Sequence, residues 1–516
     1  MMARVSKMEL LAPAGGMEQL RAAVAFGADA VYLAAERFGM RARAANFALE
    51  DLPTAVRFAH ESGVRVHVTC NILMHDEDIA ALPAFFRALD NAGVDAVIVS
   101  DLGAAAVLRE TAPRIELHVS TQASVANAAA ARAWYALGAK RIVLAREMSI
   151  DDIARLHAQI PEDLELEAFV HGAMCMAVSG RCLISSYLTG RSGNKGACTQ
   201  PCRWHYQTFC GTQSRDGFAG TTEGLVDFDD VQSRDDFADS AERLPDDFEY
   251  LLEEDKRPGV YFPLEEDGNG SYLMNAKDLN MLAHLNALAA AGVDSIKIEG
   301  RNKKAFYVAT VVNAYRQVLD GADPARIAPD LEMISHRPYN TGFYFGMAQQ
   351  AVDYDGYEQT CLHVADVLAC EPCSAASLDG ADSAVGTVGA DSTAGSDSTD
   401  SPDNPDSIDS TKSPKSTTCS ASASSVLTVR CRNRFCEADE LEALVPKRGV
   451  VKVTVRDLEW LGEPNAQGIM PSSQAVAVAN RATETGIYRF RTEVPIDAGS
   501  FLRIRQFRRS ARSGSQ

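Results

Sequence analysis

Ala92-Gly93-Val94-Asp95 ends a helical pattern at residues 76–92 and opens the β-like run DAVIV at Asp95–Val99. The same arrangement occurs at Phe26-Gly27-Ala28-Asp29 and at Leu137-Gly138-Ala139-Lys140, where a helical pattern again ends at glycine. Glycine is the usual residue just beyond a helix C-terminus because it adopts the left-handed conformation at little steric cost. The repetition therefore predicts units in which each helix is followed directly by a strand.

Short β-like runs alternate with helical patterns, and an eighth run, SIKI at Ser295–Ile298, follows a predicted helix at Asp278–Ala291. Such units imply parallel strands with right-handed crossovers, and eight of them are typical of a TIM-barrel-like (βα)8 domain. An open doubly wound sheet is the alternative, but no G-x-G-x-x-G follows any strand. The earlier runs are Met8–Leu11, Ala30–Leu33, Arg65–Asn71, Asp95–Val99, Glu116–Ser120, Arg141–Leu144 and Leu164–Val170, with helices at Met17–Phe26 and near residues 51–61, 76–92, 103–110, 125–137 and 150–159.

A TIM barrel gathers its catalytic residues at the carboxyl ends of its strands. In this chain those ends carry polar or glycine-containing segments, which we therefore expect around one barrel mouth. The segments are Pro13-Ala14-Gly15, Asn71, Ser120-Thr121-Gln122, Arg146-Glu147, His171 and Glu299-Gly300-Arg301.

Four cysteines follow the seventh run, within Glu167–Tyr206, at the spacing C-x6-C-x15-C-x3-C: Cys175, Cys182, Cys198 and Cys202. Thiolates are the ligands that select zinc or iron–sulfur clusters. Structural zinc sites usually carry paired C-x2-4-C elements, and only the second half of this pattern has one. The wide spacing therefore favours a [4Fe-4S] cluster, with zinc as the alternative.

Charged side chains near the seventh and eighth runs are candidate catalytic residues. Glu167 and His171 lie four residues apart, which suits an acid–base pair, although hydrogen bonds that hold a loop explain them equally well. Near the eighth run, an arginine fork at Arg301 suits a carboxylate, and a salt bridge across the mouth is the alternative. We predict catalytic roles for Glu167, His171, Glu299 and Arg301, and substrate-binding roles for Arg41, Arg43, Gln122 and Lys297.

The formal net charge of −20 is unlike that of most nucleic-acid-binding proteins. Residues 216–255 hold fifteen acids and two bases, and residues 374–411 hold eight aspartates without any lysine or arginine. The remaining chain is close to neutral, so the charge does not exclude an RNA partner.

The composition predicts a cytoplasmic protein without a membrane partner. No run of 18 apolar residues is present, and the N-terminus lacks the apolar segment of a signal peptide. Twelve cysteines in a reducing compartment indicate metal binding and thiols instead of a disulfide framework.

Two domains are predicted, at residues 1–325 and 326–516. The first is the barrel, with the cysteine loop at 167–206 and an acidic insertion at about 207–249. The second is a small antiparallel β-barrel, interrupted at about 374–424 by a Ser-, Thr- and Asp-rich insertion. Both insertions are predicted to be disordered, because such composition buries too little apolar surface to fold. The alternating runs of the second domain are Cys361–Leu368, Ser425–Cys431, Gly449–Val455 and Arg489–Val494.

The chain resembles the collagenase-like peptidase U32 family over roughly residues 8–350. The resemblance is carried by motifs that are specific in combination. They are Leu10-Leu11-Ala12-Pro13-Ala14-Gly15, Glu167-x3-His171-Gly172-Ala173-x-Cys175, Ser179-Gly180-Arg181-Cys182, Asn194-x-Gly196-x-Cys198, Cys202-Arg203-Trp204, Met274-Asn275-x-Lys277-Asp278-Leu279, Lys297-Ile298-Glu299-Gly300-Arg301 and Thr341-Gly342-Phe343-Tyr344.

Within this family the chain is most similar to the branch that modifies the wobble uridine of tRNA. That resemblance implies an iron–sulfur enzyme that forms 5-hydroxyuridine without oxygen, with prephenate as hydroxyl donor or co-substrate. It also implies that the four cysteines hold the [4Fe-4S] cluster, and that tRNA, an electron donor and iron–sulfur assembly proteins are partners. Arg301 would then bind a carboxylate of prephenate.

Three other functions stay open. A collagenase-like peptidase is one, but His60-Glu61 is followed by Ser62-Gly63-Val64, so no H-E-x-x-H is present, and no G-x-S-x-G occurs. A Cys175 nucleophile with His171 as base would compete with the cluster for the same thiolate. Hydroxylation of another RNA and a non-catalytic cluster-binding scaffold are the remaining alternatives.

Overall fold

The chain forms two compact units in the computed structural model. The first holds Met1–Leu362, Pro446–Gly449 and Arg505–Gln516, and the second holds His363–Val445 and Val450–Ile504. The sequence prediction placed the division between the two domains after residue 325. The residues described are 5, 7–39, 46–174, 185, 191, 198, 206–214, 217–219, 248–254, 261–264, 277–346, 358–372, 425–437, 439–463, 476–477, 481–482 and 486–505.

Eight parallel strands form a closed barrel in the first unit. Each strand pairs with the next along the chain, and the eighth pairs in parallel with both the seventh and the first. The predicted TIM-barrel-like architecture is confirmed. The strands are β1 (Glu9–Pro13), β2 (Ala30–Leu33), β3 (Arg65–Cys70), β4 (Ala96–Val99), β5 (Glu116–Val119), β6 (Ala139–Val143), β7 (Glu165–Ala173) and β8 (Ser295–Ile298).

Helices connect the barrel strands, and the predicted glycine stops lie at their C-termini. Gly93 and Gly292 adopt φ values of 80° and 98°, the left-handed region that L-residues avoid. Within the described residues, no helix combines the length and apolar character needed to cross a membrane. The helices are α1 (Met17–Phe26), α2 (Leu52–Glu61), α3 (Asp76–Ala92), α4 (Leu102–Thr111), α5 (Ala128–Ala136), α6 (Ile150–His157), α7 (Leu285–Ala291), α8 (Ala305–Leu319) and α9 (Pro324–Leu331), with 3-10 turns at Thr121–Ala123 and Leu282–His284.

The segment predicted as one helix at Asp278–Ala291 is helical only in its second half. Asp278–Asn280 is a strand that pairs antiparallel with the end of β7 and parallel with Tyr339–Asn340. The buried Asp278 carboxylate accepts a hydrogen bond from the backbone N–H of Arg337 at 3.2 Å. The prediction of helix across Asp278–Asn280 was therefore wrong, because sheet pairing with β7 overrides the local pattern.

Four strands between β7 and β8 in the sequence form a separate antiparallel sheet. Their order is Tyr261–Leu264, Phe248–Glu254, Tyr206–Ser214 and Gly217–Ala219. The acidic insertion predicted at about 207–249 thus begins and ends in strands, and its residues 220–247 lie outside the described part of the chain.

An eight-stranded sheet forms the second unit, and its pairings confirm the predicted antiparallel architecture. The insertion predicted at 374–424 lies outside the described residues. In spatial order the strands are Val450–Val453, Leu441–Leu444, Phe501–Arg505, Cys361–Pro372, Ser425–Cys431, Ile487–Thr492, Arg456–Gly462 and Val476–Ala477; a further pair joins Phe435–Cys436 with Arg481–Ala482.

Candidate active site at the barrel mouth

A cavity opens at the carboxyl ends of the barrel strands. Most of its polar lining comes from segments that the sequence predicted around one mouth, including Gln122, Glu299 and Arg301. The cavity is lined by Tyr32, Thr69, Asn71, Ile98, Ser120, Thr121, Gln122, Val143, Arg146, Phe169, Lys297, Glu299 and Arg301.

Two arginines give the cavity a positive wall. Arg301 is buried, and its Nη1 donates a hydrogen bond to Thr69 Oγ1 at 3.2 Å. Arg146 lies with its guanidinium 3.8 Å from the centre of the Phe169 ring, and its Nη2 is 3.7 Å from a carboxylate oxygen of Glu299. Because the guanidinium fork matches a carboxylate or phosphate, this wall suits an anionic ligand.

Gly15 permits the position of Arg301. A Cβ at Gly15 would lie 2.0 Å from the backbone oxygen of Arg301, closer than two atoms approach without a bond. The loop after β1 therefore touches the main chain after β8 only because residue 15 has no side chain. This contact explains why a glycine stands at the end of the first strand, where the sequence analysis placed a mouth residue.

Lys297 connects the cavity to charges inside the barrel. Its Nζ donates to Glu167 Oε1 at 2.8 Å, and Arg141 Nη1 donates to Glu167 Oε2 at 3.2 Å. Glu167 is fully buried, so both of its oxygens are satisfied by cations. The Glu167 carboxyl group therefore links the amine of Lys297 at the cavity to Arg141 in the barrel interior.

Arg141 is the centre of the interior network. Besides Glu167, it contacts Glu9 at 2.5 Å and Glu165 at 2.7 Å, and Glu9 also accepts from Ser295 Oγ at 2.9 Å. Burial raises the pKa of Glu9, but the Arg141 guanidinium outweighs this effect and lowers it to about 2. The acidic side chains in the interior of the barrel therefore pair with buried basic side chains.

Two histidines share this interior. His67 and His118 are fully buried, with ring centres 4.8 Å apart in an edge-on arrangement. Burial lowers the pKa of both imidazoles well below the usual range. Both rings are therefore neutral.

Neutral polar side chains complete the cavity lining. Asn71 Nδ2 donates to Ser120 Oγ at 3.1 Å, which fixes the amide orientation. Asn71 Oδ1 and Gln122 Oε1 are buried acceptors without a hydrogen-bond partner among the described residues. Because unpaired buried acceptors are costly, these atoms are suited to receive hydrogen bonds from a ligand.

His171 lies apart from the cavity, in a cage of tyrosines. Its ring nitrogens are 3.4 Å from Tyr315 Oη and 3.5 Å from Tyr339 Oη, and its ring also contacts Tyr307. The pairing of β7 with β8 changes register between Lys297 and Ile298, so that Phe169 and His171, not consecutive residues, face them. This bulge gives His171 a set of partners different from those of Glu167.

The His171 cage predicts a pH-dependent stability. Burial lowers the pKa of His171 from 6.5 to about 3, with His336 and Lys303 acting in the same direction. Between these values only the unfolded chain binds the proton, so the free energy of unfolding falls as pH falls from about 6.5 towards 3. At pH of about 5 the expected loss from this residue is about 2 kcal/mol. Chemical denaturation at several pH values measures this effect. The free energy of unfolding should depend less steeply on pH in His171→Phe than in the wild type. The same pH dependence in both proteins would contradict a neutral, buried His171.

The remaining predicted site residues are only partly described. Cys198 is half-buried, and Met174, which precedes Cys175, is buried just beyond the end of β7. Cys175, Cys182, Cys202, Arg41 and Arg43 lie outside the described residues.

Arg141, Glu9 and Tyr32 were not predicted as site residues. A signal was present, because charged or aromatic residues stand at alternate positions of otherwise apolar barrel strands, where side chains share one face. Arg146 and Asn71 were placed at the mouth without a role.

The chain is similar to a peptidase family and to proteins named for RNA hydroxylation. The family model of peptidase family U32 matches residues 15–353. The chain is 37% identical over 358 residues to tRNA hydroxylation protein P of Escherichia coli, covering 68% of this chain and 77% of that protein. It is 36% identical over 314 residues to a 23S rRNA 5-hydroxycytidine synthase of Escherichia coli, covering 61% of this chain and 39% of that protein.

A third relative carries a different kind of name. The chain is 32% identical over 360 residues to a collagenase of Porphyromonas gingivalis, covering 66% of this chain and 74% of that protein. The barrel, its mouth cavity and the cysteine loop all fall within or next to the matched region. The chain therefore belongs to peptidase family U32.

Proposed function

We propose that this protein is an RNA-modifying enzyme that hydroxylates the wobble uridine of tRNA at carbon 5, independently of oxygen, with prephenate as hydroxyl donor or co-substrate. The observation that carries the proposal is the cation-lined cavity at the barrel mouth of a chain related to tRNA hydroxylation protein P. The proposal includes an electron donor and iron–sulfur assembly proteins as partners.

The cavity suits a small anion better than a nucleotide chain. Arg146, Lys297 and Arg301 line it, while Glu299 is the carboxylate among the lining residues. Prephenate carries two carboxylates, and the arginine forks would bind them bidentately. The RNA base would then approach from the open side of the mouth.

A site for prephenate must also recognise its hydroxyl group. Prephenate carries one ring hydroxyl, which donates a hydrogen bond. Asn71 Oδ1 and Gln122 Oε1 supply acceptors that the protein itself leaves without partners in its described part. An analogue without the hydroxyl would leave them unpaired, which costs binding free energy.

The cysteine loop would hold the iron–sulfur cluster next to this mouth. Met174, which precedes Cys175 in the sequence, is buried just beyond the end of β7, and Cys198 is half-buried, which supports a thiolate donor set in this part of the chain. Cys175, Cys182, Cys198 and Cys202 would be the ligands. A [4Fe-4S] cluster transfers single electrons or acts as a Lewis acid when bound.

A cysteine-peptidase function gains no support from the thiol within the barrel strands. Cys70, at the end of β3, is fully buried, and burial raises the pKa of its thiol. A cysteine nucleophile needs a thiolate or an adjacent base. Cys70 therefore supplies neither access nor reactivity.

Cys182→Ala tests the proposal. In protein purified without oxygen, we expect loss of iron, acid-labile sulfide and visible absorption, because the cluster loses one of four ligands. Cells that carry only this variant should also lose wobble 5-hydroxyuridine, measured by mass spectrometry of tRNA nucleosides.

The matched control is Cys370→Ala, which removes a cysteine of the second unit and should keep both properties. Normal tRNA hydroxylation in Cys182→Ala would contradict the proposed role of the cysteines. One tightly bound zinc without sulfide would show a structural zinc site instead.

A further inference from the structure

Lys297 is a buried amine at the floor of the cavity. It is 4% exposed, and its Nζ lies 4.3 Å from the centre of the Tyr32 ring and 5.5 Å from that of Phe169. The aromatic rings and the barrel wall shield it from bulk solvent, and it belongs to the cavity lining, where a bound ligand would contact it. This is the environment in which a lysine amine becomes a nucleophile.

The charges around Lys297 permit it to lose its proton. Burial lowers its pKa, and this effect outweighs the opposing attraction of Glu167 and Glu299. Arg141 acts with burial in lowering it, and also holds Glu167 Oε2. Glu167 therefore keeps a cationic partner when the lysine is neutral, so deprotonation of Lys297 leaves no bare buried carboxylate.

We propose that Lys297 Nζ forms an imine with the keto group of an α-keto acid bound in the cavity. The amine at the floor and the arginines Arg146 and Arg301 on the wall match the two functional groups of such an acid. The identity of the acid rests on the proposed function, since prephenate carries a keto group beside a carboxylate. The imine would fix the co-substrate covalently and define Lys297 as a catalytic residue.

The step conserves atoms, electrons and charge. Glu167 accepts a proton from the Lys297 ammonium across their 2.8 Å contact. The neutral amine attacks the keto carbon, forming a carbon–nitrogen bond and a carbinolamine. The proton on Glu167 passes to the carbinolamine oxygen, which leaves as water, and the nitrogen becomes a protonated imine. No oxidant or reductant is required.

Borohydride trapping tests this inference on the full-length protein. The protein is incubated with pyruvate or with prephenate, treated with sodium borohydride and analysed by mass spectrometry. Reduction converts an imine into a stable secondary amine, so a mass increase should appear on the peptide that contains Lys297. Pyruvate serves as the small probe, and prephenate as the acid of the proposed function.

Two variants separate a specific adduct from general lysine reactivity. Lys297→Arg keeps a positive charge for Glu167 but forms no imine, so it should lose the adduct. Lys303→Arg should keep it, because Lys303 contacts Tyr307 and Ser335 and does not line the cavity. An unmodified Lys297 peptide with both acids, or equal labelling of the Lys297→Arg variant, would overturn the inference.

The trapping experiment and the tRNA hydroxylation assay distinguish a failure of the imine inference from a failure of the proposed function. An adduct on Lys297 without any tRNA hydroxylation would support the imine and refute the RNA assignment. Wobble hydroxylation without an adduct, and with activity retained in Lys297→Arg, would refute the imine and leave the RNA assignment standing.

Discussion

Replacing Arg141 by methionine is expected to lower the free energy of unfolding by about 3–5 kcal/mol, because removing one partner of a buried ion pair leaves uncompensated charge. Arg141 is 2% exposed and contacts Glu9, Glu165 and Glu167. Methionine replaces the apolar stem of the arginine side chain, so the loss reports the missing guanidinium and its charge. Urea unfolding followed by circular dichroism measures the change.

Arg114→Met is the matched control for this prediction. Arg114 pairs with Asp90 at 2.7 Å, but its side chain is 75% exposed. Such surface pairs contribute little to stability, because solvent screens the two charges. Equal destabilisation by the two substitutions would contradict the view that the charged interior of the barrel is a structural element.

Arg301→Met is expected to weaken prephenate binding by about 30- to 5,000-fold, since truncating a buried, hydrogen-bonded partner of a charge costs about 2–5 kcal/mol. The prephenate affinity of Arg301→Lys should lie between those of Arg301→Met and the wild type, because lysine keeps the charge but loses the bidentate fork. Isothermal titration calorimetry under nitrogen measures the affinities.

Arg114→Met again provides the control, and it should bind prephenate like the wild type. Thermal unfolding of each variant shows whether Arg301→Met remains folded, which matters because Arg301 also contacts Thr69. Unchanged prephenate affinity in a folded Arg301→Met protein would contradict the proposal that the arginine wall of the cavity binds prephenate.

The barrel was predictable because its sequence signals are local. Gly93 and Gly292 end helices directly before strands, and the same residues show positive φ in the structure. Counting such units gave eight strands without any tertiary information. Strand order then follows from the right-handed connections of parallel strands, and polar residues after the strands, such as Asn71 and Gln122, came together at one mouth.

The separation of Glu167 from His171 was not predictable in this way. Residues four apart on a regular strand share a face, but a change of register in the pairing of β7 with β8 breaks that relation. Such irregularities depend on the partner strand, which local periodicity does not contain. Asp278–Asn280 illustrates the same limit, since its strand conformation comes from pairing with β7.

The most direct test of the central claim is hydroxylation of tRNA by the purified protein. Cluster-loaded protein is incubated without oxygen with tRNA that lacks the wobble modification, an electron donor and prephenate, and the nucleosides are analysed by mass spectrometry. We predict 5-hydroxyuridine at the wobble position, formed only when both protein and prephenate are present. An unchanged wobble uridine, together with cleavage of gelatin by the same preparation, would contradict the account and favour a peptidase.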